Sequence, residues 1–192
     1  MSRYLIAGLG NPGSEYEGTR HNIGFDIVDR FVSAHEGAFE TDRLASVAHV
    51  RLKGRQVVCI KPSTFMNLSG RSVKYWLDRE GVEVGNLLVV MDELSIPLSR
   101  LRLNAKGSDG GHNGLKSIQE ALQSQLYARL RFGIGNGYPK GGQVDFVLGR
   151  WREEEKPIVE RKTVASVAAV EAFILSGVQR AMNATNNLDF TP

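Results

Sequence analysis

The stretch that decides the fold is Asn86–Met91, which reads NLLVVM. Every position after Asn86 is apolar, and this pattern is typical of a strand in the middle of a sheet, covered on both faces. The run is far shorter than the roughly 18 apolar residues that a membrane span needs, and no other run in the chain reaches that length. The sequence therefore predicts a buried central strand here.

The segments around this strand alternate between strand and helix patterns. Val- and Ile-rich runs on either side of Lys53-Gly54 predict a β-hairpin. Further strands are expected at 4–7, 101–104 and 128–134, and helices at 23–35, 69–80, 114–125 and from Ile158 to about 177. The order β-α-β-β-α-β-β-α-β-α predicts an α/β fold, a single-domain mixed twisted sheet with helices on both faces, an α/β/α sandwich over residues 1–192.

Composition narrows the class of protein. The 192 residues are 42% hydrophobic and 23% charged, ordinary values for a globular protein. A single cysteine, Cys59, excludes a disulfide framework and a cysteine-based zinc site. The four histidines show no metal-ligand spacing, so the sequence offers no candidate metal site. With no signal peptide and no membrane span in the pattern, we expect a reducing, cytoplasmic setting.

Positive charge is concentrated in the middle of the chain. The net charge is only +3, but residues 43–79 carry eight bases and one acid, and residues 94–150 carry eight bases and three acids. This distribution is compatible with a solvated surface. It also suits a face that binds a polyanion such as a nucleic acid.

Gly8–Gly13 matches the G-x-G-x-x-G pattern of dinucleotide-binding loops. The context disagrees, because no helix opens at Gly13 and the next strands form a hairpin instead of a parallel strand ending in an acid. A nucleotide-dependent enzyme is therefore a minor alternative. The glycines are expected to let the backbone turn tightly and to hold Asn11 at the end of the first strand.

His21 and Asp92 are the candidates for acid–base chemistry. His21 lies just before a helix, where the helix dipole favours the neutral imidazole that can take a proton from water. Asp92 directly follows the central strand and could orient such an imidazole. Each also has a simpler interpretation, His21 as a helix-entry residue and Asp92 as part of a turn or cap. The absence of G-x-S-x-G argues against a serine nucleophile of the α/β-hydrolase type.

Two further segments could complete a site at the same edge of the sheet. Phe65, Met66 and Asn67 combine an amide with apolar walls, which suits a groove for a peptide-like ligand, although the first two could simply be core residues. The glycine-rich loop 107–114 runs into a helix that Asn113 is placed to cap, and with Lys106 before it the loop suits a phosphate. A plain flexible connection is the alternative.

Taken together, these segments resemble bacterial-type peptidyl-tRNA hydrolases. The similarity covers most of the chain, in the family's order, through these blocks: GLGNPGSEYEGTRHNIGF (8–25), KPSTFMNLSG (61–70), MDEL (91–94), GSDGGHNGLKSI (107–118), RLRFGIG (129–135) and FVLG (146–149). The resemblance implies a monomer that cleaves the ester between a peptide and the terminal ribose of tRNA without a cofactor, and so recycles prematurely released peptidyl-tRNA. A plant organellar splicing factor is also similar to this family, so a non-catalytic RNA-binding module on the same fold is the alternative.

The resemblance also implies roles for particular residues. His21 would be the catalytic base, Asp92 its orienting partner, and Asn11 a catalytic amide. The remaining residues would contact the substrate: Tyr16, Phe65, Met66, Asn67, His112 and Asn113 in the peptide groove, and Arg102, Lys106 and Arg131 at the tRNA phosphates. Which asparagine donates to the oxyanion stays open at this point.

Overall fold

The computed structural model describes residues 2–192, and a seven-stranded mixed sheet lies at its centre. The strands are β1 (Arg3–Gly8), β2 (Glu40–Asp42), β3 (Ala45–Leu52), β4 (Arg55–Pro62), β5 (Leu87–Glu93), β6 (Leu101–Asn104) and β7 (Ala128–Gly133). Their order across the sheet is β2-β3-β4-β1-β5-β7-β6. The four central strands β4, β1, β5 and β7 run parallel, and the outer strands β2, β3 and β6 pair antiparallel with their neighbours.

Residues 2–192 form six α-helices, and helices cover both faces of this sheet. They are α1 (Ile23–Ala34), α2 (Ser69–Glu80), α3 (Asn113–Leu122), α4 (Gln143–Val147), α5 (Lys156–Ser176) and α6 (Val178–Thr185). Residues of α1, α5 and α6 belong to one apolar cluster, and residues of α2 and α3 belong to the other. The predicted α/β/α arrangement is confirmed. None of these helices is both long and apolar enough to cross a membrane.

The position of β5 in the middle of the sheet explains why Leu87–Met91 is entirely apolar. All seven of its residues are buried. Leu88 and Val90 pack into the cluster that contains α1, whereas Val89 and Met91 pack into the cluster that contains α2 and α3. Alternate residues of a strand point to opposite faces, so Leu87–Met91, which lies between two layers of helices, is apolar at every position.

The predicted hairpin is also confirmed. Strands β3 and β4 pair from Leu52 opposite Arg55 outward. The two residues between them, Lys53 and Gly54, have φ values of 46° and 82°. Positive φ at both central positions matches the type of two-residue turn whose twist fits a hairpin.

Three elements were not predicted: β2, α4 and α6. Strand β2 is three residues long and fully exposed, and α4 contains no buried residue, so neither has a clear apolar period. Helix α6 follows α5 after Gly177, which adopts a φ of 86° and breaks the two helices apart. The Ala- and Val-rich pattern correctly predicted the end of α5 but gave no sign of the next helix.

Helix α1 approaches the sheet unusually closely because of two glycines. A Cβ atom added to Gly8 would lie 2.3 Å from the Gly24 carbonyl oxygen, and one added to Gly24 would lie 2.4 Å from the Val90 carbonyl oxygen. The expectation that Gly8 serves a tight turn is wrong, since its φ is not positive and its role is close packing. This packing brings the start of α1 to the carboxyl ends of β1 and β5.

Lys162 is a buried cation on α5. It is fully buried, its Nζ donates to the Gly133 carbonyl oxygen at 2.6 Å, and it lies 3.8 Å from the centre of the Phe132 ring. Burial lowers the pKa of this amine from 10.5 to about 7. The folded state therefore binds the proton more weakly than the unfolded state does.

We expect the depressed pKa of Lys162 to be measurable in the pH dependence of the free energy of unfolding. Because the pKa of Lys162 is depressed in the folded state, burial of its ammonium destabilises the fold fully below about pH 7. The free energy of unfolding therefore rises from about pH 7 towards pH 10. Lys162→Met should reduce this rise in denaturant melts, while the exposed Lys116→Met should leave it unchanged. Identical slopes for wild type and Lys162→Met would contradict the assignment.

Candidate active site

A cleft of about 690 Å³ opens at the carboxyl ends of the central strands. This is the edge where α/β sheets bind their ligands, because the loops that leave parallel strands converge there. Eight of the predicted site residues line the cleft: Asn11, His21, Phe65, Met66, Asn67, Asp92, His112 and Asn113. They come from five separate segments that the sheet brings together.

His21 is held by a buried carboxylate. It lies in a 3-10 turn, Arg20–Asn22, that leads directly into α1. Its Nδ1 lies 2.9 Å from Oδ2 of Asp92, whose side chain is only 2% exposed. An ionised carboxylate only accepts hydrogen bonds, so Nδ1 of His21 carries the ring proton and donates a hydrogen bond to Asp92. The Nε2 of His21 is then the basic nitrogen, and His21 lines the cleft.

His112 holds the same carboxylate from the other side. Its Nε2 lies 2.9 Å from Oδ1 of Asp92, and its Nδ1 accepts from the backbone N–H groups of Gly114 and Leu115 at 3.1 and 3.4 Å. Those two contacts make Nδ1 an acceptor and Nε2 a donor. His112 therefore caps α3, and the prediction that Asn113 is the cap is wrong: Asn113 is the first residue of the helix.

The electrostatics keep Asp92 ionised. Burial by itself would raise the pKa of this carboxyl group. The electrostatic attraction and hydrogen bond of the His112 N–H, together with those of the His21 N–H, outweigh burial and hold the pKa of Asp92 well below its usual range. A permanent negative charge between the two imidazoles fixes the tautomer and the orientation of the His21 ring.

The side chains of Asp92 and its two histidine partners lie close enough together to be a possible set of metal ligands. The ligand atoms of His21, Asp92 and His112 all lie within 4.8 Å of one another. Spacing in the sequence showed no such group, because the two histidines are 71 and 20 residues away from Asp92. Both nitrogens that face Asp92 already serve as hydrogen-bond donors, so hydrogen bonding accounts for the cluster.

Asn11 presents an amide donor to the cleft. Its Oδ1 accepts from the backbone N–H of Met66 at 2.7 Å, which orients the side chain. Its own backbone N–H and carbonyl are bound by Oδ1 and Nδ2 of Asn22, each at 2.9 Å. With its oxygen engaged in this way, Asn11 leaves its Nδ2 hydrogens for a ligand. Asn22 was not predicted, because its only signal in the sequence is its position next to His21.

The remaining groove residues differ in exposure. Met66 is buried, whereas Phe65 is 54% exposed at the rim. Asn67 and Asn113 are exposed and line the cleft. Tyr16 belongs to the short turn Ser14–Tyr16 and is absent from the residues that line the cleft. A role for Tyr16 with substrate remains a prediction that this geometry does not support.

The predicted phosphate contacts fall into two groups. Arg102 on β6 and Lys106 after it are exposed and make no ion pair within residues 2–192. Arg131 instead donates through Nε and Nη2 to Oε1 of Glu93, at 2.9 and 2.7 Å. Its charge is therefore already matched by a carboxylate next to Asp92. All three roles at phosphates remain predictions, and Arg131 is the least available.

One wall of the cleft was missed by sequence reasoning. It consists of Tyr138 together with residues in and just after α4: Gln143, Val144, Val147 and Leu148. Val144 is 65% exposed, so this wall presents apolar surface to whatever enters the cleft. A five-residue helix after a glycine-rich loop has too little periodicity to be recognised from the sequence.

The arrangement is suited to one kind of chemistry. A cleft-lining imidazole, oriented by a buried carboxylate and placed near an amide donor, can activate water for attack on a carbonyl group. The fold and the site therefore define an α/β protein equipped as a hydrolase of acyl compounds.

Comparisons with known proteins narrow this class to a family. A family model described as "Peptidyl-tRNA hydrolase" matches residues 5–192. The peptidyl-tRNA hydrolase of Parabacteroides distasonis is 49% identical over 185 residues, which is 96% of this chain and 99% of that relative. The crystal structure of the Acinetobacter baumannii peptidyl-tRNA hydrolase superposes with a TM-score of 0.93 at 32% identity, covering 98% of this chain and 96% of that one. The chain belongs to the peptidyl-tRNA hydrolase family.

Proposed function

We propose that this protein hydrolyses the ester that joins a peptide to the 3′-terminal ribose of tRNA, with His21 as the general base. The observation that carries the proposal is the hydrogen bond from His21 Nδ1 to the buried Asp92, which leaves Nε2 to act in the cleft. We further propose that the chain works as a monomer of one domain over 1–192, in the cytoplasm and without a metal or organic cofactor, and recycles prematurely released peptidyl-tRNA.

The reaction begins with activation of water. Nε2 of His21 takes a proton as the water oxygen bonds to the ester carbon, and Asp92 stabilises the imidazolium that forms. The imidazolium then returns the proton to the ribose oxygen as the carbon–oxygen bond breaks. General-base catalysis of this kind typically contributes about 10²–10⁴-fold in rate.

The developing oxyanion needs a donor, and Asn11 is placed to supply one. Its side-chain oxygen is engaged by the Met66 N–H, so Nδ2 has a defined orientation before the substrate arrives. A donor that is already oriented stabilises the transition state without reorganisation. The sequence left the choice between Asn11 and Asn67 open, and this contact favours Asn11.

Selectivity for peptidyl over aminoacyl esters follows from the polar groups of the cleft. The exposed amides of Asn67 and Asn113 can pair with main-chain groups of a peptide. A free aminoacyl group carries an ammonium in place of a peptide amide and leaves such groups unpaired. A site that hydrogen-bonds one substrate rejects an analogue lacking the partner by large factors.

The decisive experiment compares two esters on the same tRNA. We expect this protein to deacylate N-acetyl-aminoacyl-tRNA with kcat/KM at least about 10²-fold above that for aminoacyl-tRNA. Equal rates would contradict the proposed selectivity. Salt-sensitive tRNA binding with no cleavage of either ester would contradict the enzymatic function and leave an RNA-binding module.

Lys106 tests how tRNA is held. Since this exposed lysine carries no ion pair within residues 2–192, Lys106→Ala should raise KM with little change in kcat. The slope of log binding constant against log salt should fall by about 0.7–0.9 for the lost phosphate contact. Arg30→Ala, which removes an exposed arginine on α1 that pairs with Glu160, is the control. A large loss of kcat in Lys106→Ala would show that positioning is not its role.

A further inference from the structure

Arg20 is a buried arginine that the proposed chemistry does not use. It precedes His21 in the same turn, and only 4% of it is exposed. Arginine is among the residues that are almost never fully buried unless paired. Its burial next to the catalytic base therefore calls for a role.

The backbone of this turn is attached to the segment that follows α4. The Arg20 N–H donates to the Gly149 carbonyl oxygen at 3.0 Å, and Thr19 forms a β-bridge with Arg150. Thr19 and Arg20, which directly precede His21, are thus hydrogen-bonded to the backbone of residues 149–150, just after α4.

The Arg20 side chain makes two further attachments, to α4 itself and to the residue that precedes α5. Nη1 donates to the Phe146 carbonyl oxygen in α4, and Nη2 donates to Oε2 of Glu155, each at 3.1 Å. The guanidinium lies 4.3 Å from the centre of the Phe146 ring and 5.4 Å from that of Trp151. A planar, always-charged group that stacks and forks in this way cannot be replaced by lysine without loss.

The guanidinium also packs closely against the backbone at Gly149. A Cβ atom added to Gly149 would lie 2.9 Å from Nη1 of Arg20. The guanidinium is therefore packed against backbone on one side and an aromatic ring on another. Such an attachment transmits displacement, because packed groups have little room to move independently.

The segment that Arg20 holds is the apolar wall of the cleft. Val144 and Val147 of α4 line the same cleft as His21. A peptide chain extending from the ester at His21 would contact this wall. Binding energy from such remote contacts raises kcat when it is used to orient groups at the reacting centre.

We propose that Arg20 is a positioning residue that couples the α4 wall to the turn carrying His21, so that a peptide seated on the wall aligns the base. This inference rests on the proposed function. It predicts that kcat, and not tRNA affinity, depends on Arg20, because the exposed bases assigned to tRNA lie on other elements.

The test measures kcat and KM for N-acetyl-aminoacyl-tRNA and for a tripeptidyl-tRNA with the same last residue. Wild type should have the higher kcat on the longer substrate. Arg20→Met should lower kcat by about 10²-fold, as expected for a misplacement of about 1 Å, with KM within about threefold of wild type. It should also lose the advantage of the longer peptide, which a merely structural residue would not alter.

Three further variants complete the design. Arg20→Lys keeps the charge without the fork, and Glu155→Gln keeps an acceptor without the charge, so both should show part of the kcat loss and part of the loss of length dependence. Arg30→Met removes an exposed arginine of α1 and should behave as wild type. If Arg20→Met fails to fold, Arg20→Lys and Glu155→Gln decide the question.

The outcomes separate the two claims. Undiminished kcat in folded Arg20→Met, or an intact peptide-length advantage in Arg20→Lys and Glu155→Gln, would overturn the role of Arg20 while leaving the hydrolase intact. Absence of ester cleavage by wild type and Arg30→Met alike would overturn the proposed function, and this inference with it.

Discussion

His21→Ala is expected to lower kcat by about 10²–10⁴-fold while the fold and tRNA binding persist. The imidazole is the proposed base, and its Nδ1 proton is committed to Asp92. Removal of the ring leaves water with no group to take its proton. The measurement is single-turnover deacylation of N-acetyl-aminoacyl-tRNA, with circular dichroism and tRNA binding measured on the same samples.

A matched histidine serves as the control. His49 lies on β3 with its side chain 63% exposed, and His49→Ala should keep full activity. A His21→Ala variant with near wild-type turnover would remove this residue from the mechanism. Loss of secondary structure in His21→Ala would instead assign it a structural role.

Asn11→Asp is expected to lower kcat by about 10²–10³-fold with a smaller change in KM. Aspartate keeps an oxygen to accept from the Met66 N–H, so the local structure should survive. It lacks the Nδ2 hydrogens, however, and it places a negative charge where the oxyanion develops. Asparagine to aspartate therefore removes the donor with little change of shape.

The comparison with other asparagines makes this test specific. Asn67→Asp and Asn113→Asp change amides at the rim of the same cleft and should act mainly on KM and on the choice between peptidyl and aminoacyl esters. If Asn11→Asp retains kcat within about threefold of wild type and either of the other variants loses it, the oxyanion donor is the other residue.

Much of the fold could be predicted because hydrophobic periodicity is a local property. The run 86–91 predicted β5, and the Val-rich runs around Lys53-Gly54 predicted β3 and β4. Helix α4 escaped prediction because no residue in it is buried. Its importance comes from the cleft that it borders, and no pattern within five residues can express that.

The sequence predicted which residues lie in the cleft better than it predicted what each of them contacts. Asp92 was recognised because it directly follows the apolar run that ends at Met91, and His21 because it lies just before α1. His112 was assigned to substrate, yet its two nitrogens are engaged by Asp92 and by the start of α3. Arg131 was assigned to phosphate, yet Glu93 binds its guanidinium.

The sequence by itself determined the layered α/β architecture, the central strand and the set of polar residues at the strand ends, since each follows from local patterns of apolar residues, glycines and caps. Only the tertiary structure decided that one carboxylate is shared by two imidazoles, that Asn11 is oriented by Met66, and that Arg20 joins the base to the cleft wall. These contacts connect residues far apart in the chain, and they depend on distances and side-chain orientations that arise only when the sheet and its helices pack together.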